Sequence, residues 1–250
     1  MSRWFLSFSQ KTVFVSVISV FLIYSSAALS SNDYEDLDRF ESMNRVMFSF
    51  NDSADQYVLK PIAKAYRFIT PSFVDEAITN VFNNLGDIET IANSLLQAKF
   101  HNAIVSLNRV IYNTVFGLGG LIDVATPFGL QNNKEDFGQT LGYWGYEQSS
   151  YLVLPFLGPS SVRDFGGRLV DYGLDPMRYQ DEIESTQSLM LTGVKMVDLR
   201  ADLLGADNLL LGEDRYRFMR SAYFQNRDYL IKDGEIEDSF SDDDYDYDDF

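Results

Sequence analysis

Between Val110 and Leu130 the chain carries one charge, Asp123. About twenty residues so poor in charge are long enough to cross a bilayer as a helix. The composition of the run argues against a straight one. Gly117, Gly119 and Gly120 interrupt it and Pro127 follows, and both residue types oppose a helix interior. Two short helices meeting at Gly117–Gly120 satisfy both constraints, with Phe116, Gly117, Gly119, Gly120, Leu121 and Ile122 at the bend. A hairpin that enters one leaflet and returns must satisfy its backbone groups inside the protein. The same pattern fits a hairpin buried in a water-soluble core, and the residues alone do not separate the two.

A second constraint follows at once, from Phe137 to Asp164 (FGQTLGYWGYEQSSYLVLPFLGPSSVRD). Glycines alternate with Tyr143, Trp144, Tyr146, Tyr151 and Phe156, in a period neither helical nor strand-like. Glycine lets backbones approach and aromatics cover the gap. Gly142, Tyr143, Trp144, Gly145, Pro155 and Phe156 are therefore candidate packing or rim residues. Pro155 and Pro159 bracket Phe-Leu-Gly, which predicts a turn without a regular ladder. Ser160 or Ser161 suits a helix N-cap, with Arg163 and Asp164 in the first turn. Gly166-Gly167 then predicts a close contact with another helix or with lipid.

Elsewhere the signals are helical. Met43, Val46, Met47, Phe50 and Ala54 share one face, which reads as a core face, while Asn44, Arg45 and Asn51 fall off it. Leu59-Lys60-Pro61 predicts an end and a new start. Thr70-Pro71 predicts a cap for a helix to about Asn84. Leu85-Gly86-Asp87 predicts a break, followed by a short helix with Ile88, Ile91, Leu95 and Leu96 inward. Helical pattern returns from Ala103 to Phe116, from about Ile183 to Leu204, and from Asp214 to Ile231. The last helix carries Arg215, Arg217, Arg220 and Arg227, suited to lipid phosphates, to a partner's carboxylates or to solvent. No strand–turn–strand alternation persists, so the body is expected to be all-α.

Residues 1–30 have the layout of an export leader: Arg3 and Lys11, the apolar run Thr12 to Tyr24, then small residues to Ser30. Residues 31–232 form one domain. Residues 233–250 hold ten acidic residues and no basic one, out of a net charge of −17, and are expected to be disordered. The remaining body is only mildly acidic, which argues against a nucleic-acid partner. The absence of cysteine excludes disulfides, thiolate metal sites, a Cys nucleophile and an acylated lipobox. No catalytic, cofactor or metal constellation stands out. His101, the sole histidine, is the one candidate base for a secreted lipid hydrolase; a structural envelope protein is the other alternative.

Four ordered segments carry a resemblance. FGQTLG with YLVLPFLGPSSVRD, DRFESMNRVMFSFND (Asp38–Asp52), FGLGGLID (Phe116–Asp123) and YFQNRDYL (Tyr223–Leu230) resemble the MlaA/VacJ family of outer-membrane phospholipid transport proteins. They span about residues 36 to 232. The chain departs from that family at Arg39, where a proline is usual, and in lacking the lipidated cysteine of many members. The resemblance implies a ring-like helical domain, monotopic in the inner leaflet of a Gram-negative outer membrane, with a polar channel for phospholipids. It implies that Asn44, Arg45, Phe50 and Asn51 lie at that channel. It also implies no cofactor, trimeric porins as partners, and delivery of lipid to a periplasmic carrier.

Overall fold

The computed structural model describes residues 34–146, 149–174, 185–210 and 214–235. The expected leader and residues 236–250 of the acidic tail lie outside the described residues. Helix α1 (Glu41–Ala54) continues through one π-type turn (Asp55–Leu59) into α2 (Lys60–Ile69), so the end expected at Leu59-Lys60-Pro61 does not occur. Pro61 has no N–H and its ring crowds the carbonyl one turn back. Widening the preceding turn relieves both, and the helix runs on.

The break expected at Leu85-Gly86-Asp87 is also absent. Helix α3 runs unbroken from Ser72 to Leu96, with Pro71 rather than Thr70 at its cap position. Thr90 donates to the Gly86 carbonyl at 3.1 Å, and Asp87 is held against the next helix, so tertiary contact overrides the weak propensity of Gly86. A Cβ at Gly86 would meet nothing within 4 Å. Gly86→Ala is therefore expected to stabilise the protein by about 0.5–1 kcal/mol. The check is a raised melting temperature in detergent; a lowered one would mean the glycine is needed.

Helix α4 (Phe100–Val115) returns antiparallel along α3, pairing Ser94 with Asn102, Asp87 with Arg109 and Asn84 with Thr114. The helical hairpin is thus α3–α4. The two short helices expected to meet at Gly117–Gly120 are not formed. The chain makes a tight return there instead, and one 3-10 turn (Thr126–Phe128) follows.

Residues 137–161 are more regular than their period indicated. Asp136 caps a short helix, α5 (Phe137–Tyr143), by accepting from the Gln139 N–H at 2.8 Å. Strands β1 (Tyr151–Leu154) and β2 (Gly158–Ser161) then pair antiparallel, Val153 opposite Pro159, so a ladder does form beside Pro155-Phe-Leu-Gly. Pro159 is tolerated because this two-stranded hairpin has only edges. Helix α6 (Val162–Leu174) follows, with the Ser161 hydroxyl accepting from the Asp164 N–H. At Gly167 a Cβ would fall 2.5 Å from the Gly138 backbone nitrogen, which is the close helix contact expected there; Gly166 faces open space. Helix α7 (Ser185–Asp202) packs on α2 and α3, and α8 (Arg215–Ile231), capped by Asp214, crosses α5 and the β-hairpin.

The interior is where the fold departs most from its sequence reading. Among the described residues eight hydrophobic side chains are buried, against twenty-two polar or charged ones. The apolar core is one small cluster, Tyr151, Val153, Tyr216 and Phe224, where β1 meets α8 and α1. Met43, Val46 and Phe50 of α1 and Ile88, Leu95 and Leu96 of α3, all expected inward, are exposed, and Ile91 is half-buried. Asn44, Asn84, Asp87, Asn93, Ser94 and Arg109 point inward instead. No helix among the described residues is long and apolar enough to cross a membrane.

Candidate functional site

The apolar shell and the polar seam are two faces of the same helices. On α4, Ala103, Ser106, Arg109 and Asn113 recur at three- and four-residue spacing and are buried; Phe100, Ile104, Leu107, Ile111 and Val115 are exposed. Residues so spaced share one side of a helix. The shell continues around the return after α4. Phe116, Leu118, Leu121, Ile122 and Phe128 all project outward, and Tyr112 stacks on Phe116 and Phe128 at 5.9 and 6.0 Å. Leu118 and Phe156 hold left-handed backbone (φ 55 and 62°) and are 69 % and 58 % exposed. That conformation costs about 1 kcal/mol or more for such residues, and in water the exposed side chain returns nothing. A contiguous exposed apolar surface on this scale marks an interaction with membrane or protein.

Beneath the shell the return is fastened from inside. The Asn113 side-chain oxygen accepts from the N–H groups of Val124 and Ala125 at 2.9 and 3.0 Å. Arg109 donates to Asp87, to the Thr126 hydroxyl and to the Leu130 carbonyl, at 3.0, 2.9 and 2.6 Å, and lies 3.5 Å from Asp123. Burial pushes the Asp87 carboxyl up to about 6, against the charge and hydrogen bond of Arg109. The lone charge of the 110–130 run is thus neutralised by the arginine just before it. In the return the N–H groups of Gly117, Gly119, Gly120 and Ile122 bond to carbonyls of the protein itself, while its apolar side chains face out.

Asn44 and Asn51, one heptad apart on α1, dock the β-hairpin. Asn44 donates to the Tyr151 carbonyl at 3.0 Å and accepts from the Val153 N–H at 2.9 Å. Asn51 does the same at the turn, with the Leu154 carbonyl and the Phe156 N–H at 2.9 and 2.8 Å. Each side-chain amide thus mimics a neighbouring strand. Phe50 packs edge-on against Phe156, centroids 5.1 Å apart. Arg45 points elsewhere, to Glu41 and Asp214, with its guanidinium 4.3 Å above the Tyr216 ring. Of the second aromatic group, Tyr143, Trp144, Gly145 and Pro155 are exposed, and Gly142 receives the Ile231 side chain. The Trp144 indole N–H donates to the Leu96 carbonyl at 3.1 Å. His101 is exposed near the start of α4.

The arginines of α8 meet the chain's own carboxylates. Arg220 pairs with Asp38 at 2.8 Å, Arg227 with Asp136 and Asp164 at 2.7 and 2.8 Å, and Arg215 with Asp52 at 2.8 Å. Tyr223 also donates to Asp164. These bonds tie the last helix to the first described residues and to α5 and α6. Burial raises the Asp136 carboxyl, but the Arg227 hydrogen bond and charge prevail and hold it down to about 2. Its folded value lies below its unfolded one, so the stability it supplies is present above about pH 4 and lost as pH falls through 2. Asp136→Asn is expected to cost about 1–2 kcal/mol near neutral pH, after solvent screening of a carboxylate one-third exposed. It should also flatten the acid loss between about pH 4 and pH 2. Urea midpoints in detergent across that window test this; identical acid profiles would remove Asp136 from the account.

Residues 36–230 match the family described as MlaA lipoprotein. The chain belongs to the MlaA family. The intermembrane phospholipid transport system lipoprotein MlaA of Haemophilus influenzae is 32 % identical over 237 residues, covering 92 % of this chain and 94 % of its own length. The protein of the same description in Escherichia coli K12 is 32 % identical over 223 residues, 86 % of each chain. A solved structure from work on the "Structural basis for maintenance of bacterial outer membrane lipid asymmetry" superposes with a TM-score of 0.69 at 34 % identity, covering 78 % of this chain and 98 % of that one.

The MlaA match, residues 36–230, spans the α3–α4 hairpin, the return after α4, the asparagines of α1 with the β-hairpin they hold, and nearly all of α8. The sequence marks a bend at Gly117–Gly120 and sets Asn44 and Asn51 off the apolar face of their helix, but gives no sign that these asparagines hold the β-hairpin. The Asp87–Arg109 pair was missed entirely. A signal was present: Asn102, Ser106, Arg109 and Asn113 repeat as regularly as the apolar stripe beside them.

Proposed function

We propose that this chain is the outer-membrane component of an intermembrane phospholipid transport system and keeps that membrane asymmetric by removing phospholipid from its outer leaflet. The observation that supports this is the inverted polarity: apolar side chains outside, hydrogen-bonded polar ones inside. A stray phospholipid must carry its charged headgroup through hydrocarbon, where an unpaired charge costs several kcal/mol or more. A polar path walled by protein lowers that barrier while the acyl tails stay in lipid. The chain works as a passage rather than as a catalyst.

In this reading the leader exports the chain and the domain lies in the inner leaflet as a ring-like disc around the path. The tip from Phe116 to Ile122 enters the leaflet, and Tyr143, Trp144, Pro155 and Phe156 belong to the rim. The α1 face with Asn44, Arg45, Phe50 and Asn51 stands at the mouth, where the two asparagines set the hairpin's position. Lipid passes to a soluble periplasmic carrier. Attachment rests on the apolar shell and on a trimeric porin partner.

Deleting the gene should raise outer-leaflet phospholipid, measured by surface labelling or by an outer-leaflet phospholipase, and wild-type complementation should restore it. No change in a strain without a second copy would overturn transport in favour of a purely structural envelope protein.

A further inference from the structure

Arg109, Arg220 and Arg227 each neutralise buried carboxylates. Asp198, 2 % exposed on α7, is different: no cation lies within ion-pair distance of it among the described residues. Two neutral hydroxyls hold its oxygens instead. Tyr66 of α2 donates to Oδ1 at 3.1 Å, and Thr79 of α3 donates to Oδ2 at 3.0 Å. Arg67, next to Tyr66 on α2, turns to two other carboxylates. One of its terminal nitrogens lies 3.4 Å from Asp202 of α7 and 3.8 Å from Asp75 of α3. Lys195 of α7 lies over the Phe82 ring, 5.8 Å from its centroid. Asp198 and Asp202, and likewise Asp75 and Thr79, are four residues apart and share a helix face. The junction of α2, α3 and α7 thus gathers three carboxylates around one arginine that is itself half exposed.

A buried carboxylate without a cation is costly as an anion and cheap as an acid. Burial pushes the Asp198 carboxyl above its ordinary range; the Thr79 and Tyr66 bonds and the Arg67 charge oppose this, and the Asp75 charge adds to it. Burial does the same at Asp202, aided by the charges of Asp198 and Asp75 and opposed by Arg67. The hydrogen bonds survive when Asp198 takes a proton. Tyr66 still donates to Oδ1. A hydroxyl also accepts, so a proton on Oδ2 is donated to the Thr79 oxygen. Only the charge changes. The folded value lies above the unfolded one, so the contribution of Asp198 to docking is complete below about pH 4 and is lost as pH rises through the folded value.

We propose that Asp198 is a proton-sensitive latch on α7. Protonated, it fastens α7 to α2 and α3. Ionised, it leaves a buried charge in the contact, and α7 opens ahead of the other helices. The exposed side chains of α7 include Leu189, Met190, Val194 and Leu199, and its main packing is on α2 and α3. Its release therefore leaves the Asp87–Arg109 pair and the ion pairs of α8 in place. The latch does not depend on the transport reading above.

The test is hydrogen–deuterium exchange of the full chain in detergent at pH 4.5 and pH 8, corrected for the pH dependence of intrinsic exchange. Protection of α7 is read against that of α8, which reports changes common to the whole domain. In wild type the ratio should fall about tenfold between the two pH values, the effect of losing one hydrogen bond's worth of stability. Asp198→Asn copies the protonated form, with an oxygen for Tyr66 and an N–H for Thr79, and should hold the ratio at its acid value at both. Tyr66→Phe removes a donor that the anion needs more than the acid does, and should steepen the fall. A constant ratio in wild type, or a fall that persists in Asp198→Asn, overturns the latch. If Asp198→Asn also loses the protection of α8, Tyr66→Phe decides: a fall no steeper than in wild type overturns the latch as well.

Discussion

Arg109→Met should destabilise the protein by about 3–5 kcal/mol, the usual cost of breaking a buried ion pair from one side. Arg109 is 2 % exposed and joins Asp87 to Thr126, to the Leu130 carbonyl and to Asp123, so one substitution strips the internal support from the whole return after α4. The pH dependence carries the signature. In wild type the Asp87 carboxyl already stands near 6, above its ordinary 3.8. Its contribution is therefore present below about pH 4 and lost as pH rises through 6, opposite in sign to that of Asp136. Without Arg109 the carboxyl is neutralised only by a proton, so the variant's deficit should shrink on acidification from pH 8 to pH 5. Adding Asp87→Asn should recover part of the loss, because it removes the orphaned charge. Melting curves of the two single variants and the double variant decide it. Strictly additive costs would mean that the two residues are not coupled.

Gly117→Ala should open the return itself. A Cβ at this position would overlap the backbone carbonyl oxygens of Ile122 and Asn113, neither of which is the end of a flexible side chain. Overpacking of this kind costs about 1–3 kcal/mol, more where backbone must move. The Gly120 and Ile122 N–H bonds to the Asn113 and Gly117 carbonyls, at 2.8 and 2.9 Å, are the ones displaced. Gly119 makes the control. Its φ is 75° but nothing lies within 4 Å of an added Cβ, so Gly119→Ala carries only the left-handed backbone cost of about 1–2 kcal/mol. Gly117→Ala is expected to raise outer-leaflet phospholipid towards the deletion level at unchanged protein abundance, with Gly119→Ala close to wild type. Equal activity of the two variants would separate the geometry of the return from lipid removal.

The helices that could be read from the sequence were those with local signals at their ends. Asp214 caps α8, Ser161 starts α6, and Pro61 marks the junction of α1 and α2 even though the chain passes through it. The direction each helix faces was not readable. Period 3.6 locates a stripe but gives it no sign, and on α3 and α4 both faces are equally regular. The assumption that Ile88, Leu95 and Leu96 turn inward belongs to a protein surrounded by water. The β-hairpin escaped because its partners are distant: Asn44 and Asn51 reach residues more than one hundred positions away, and no local pattern encodes that. The arginines of α8 were visible, but their carboxylates come from Asp38, Asp136 and Asp164, on three separate segments.

The scarcity of buried apolar side chains has a calorimetric consequence. Unfolding an ordinary domain raises the heat capacity by about 12–15 cal/mol/K per residue, because apolar groups pass from protein into water. Here most of them already stand outside, and in a micelle or a bilayer they remain covered by acyl chains whether the helices are assembled or not. The increment should be small, and a small increment flattens the curve of free energy against temperature. The assembly would then be nearly as secure in a cold cell as in a warm one, held by polar bonds whose strength does not fade on cooling as the hydrophobic effect does.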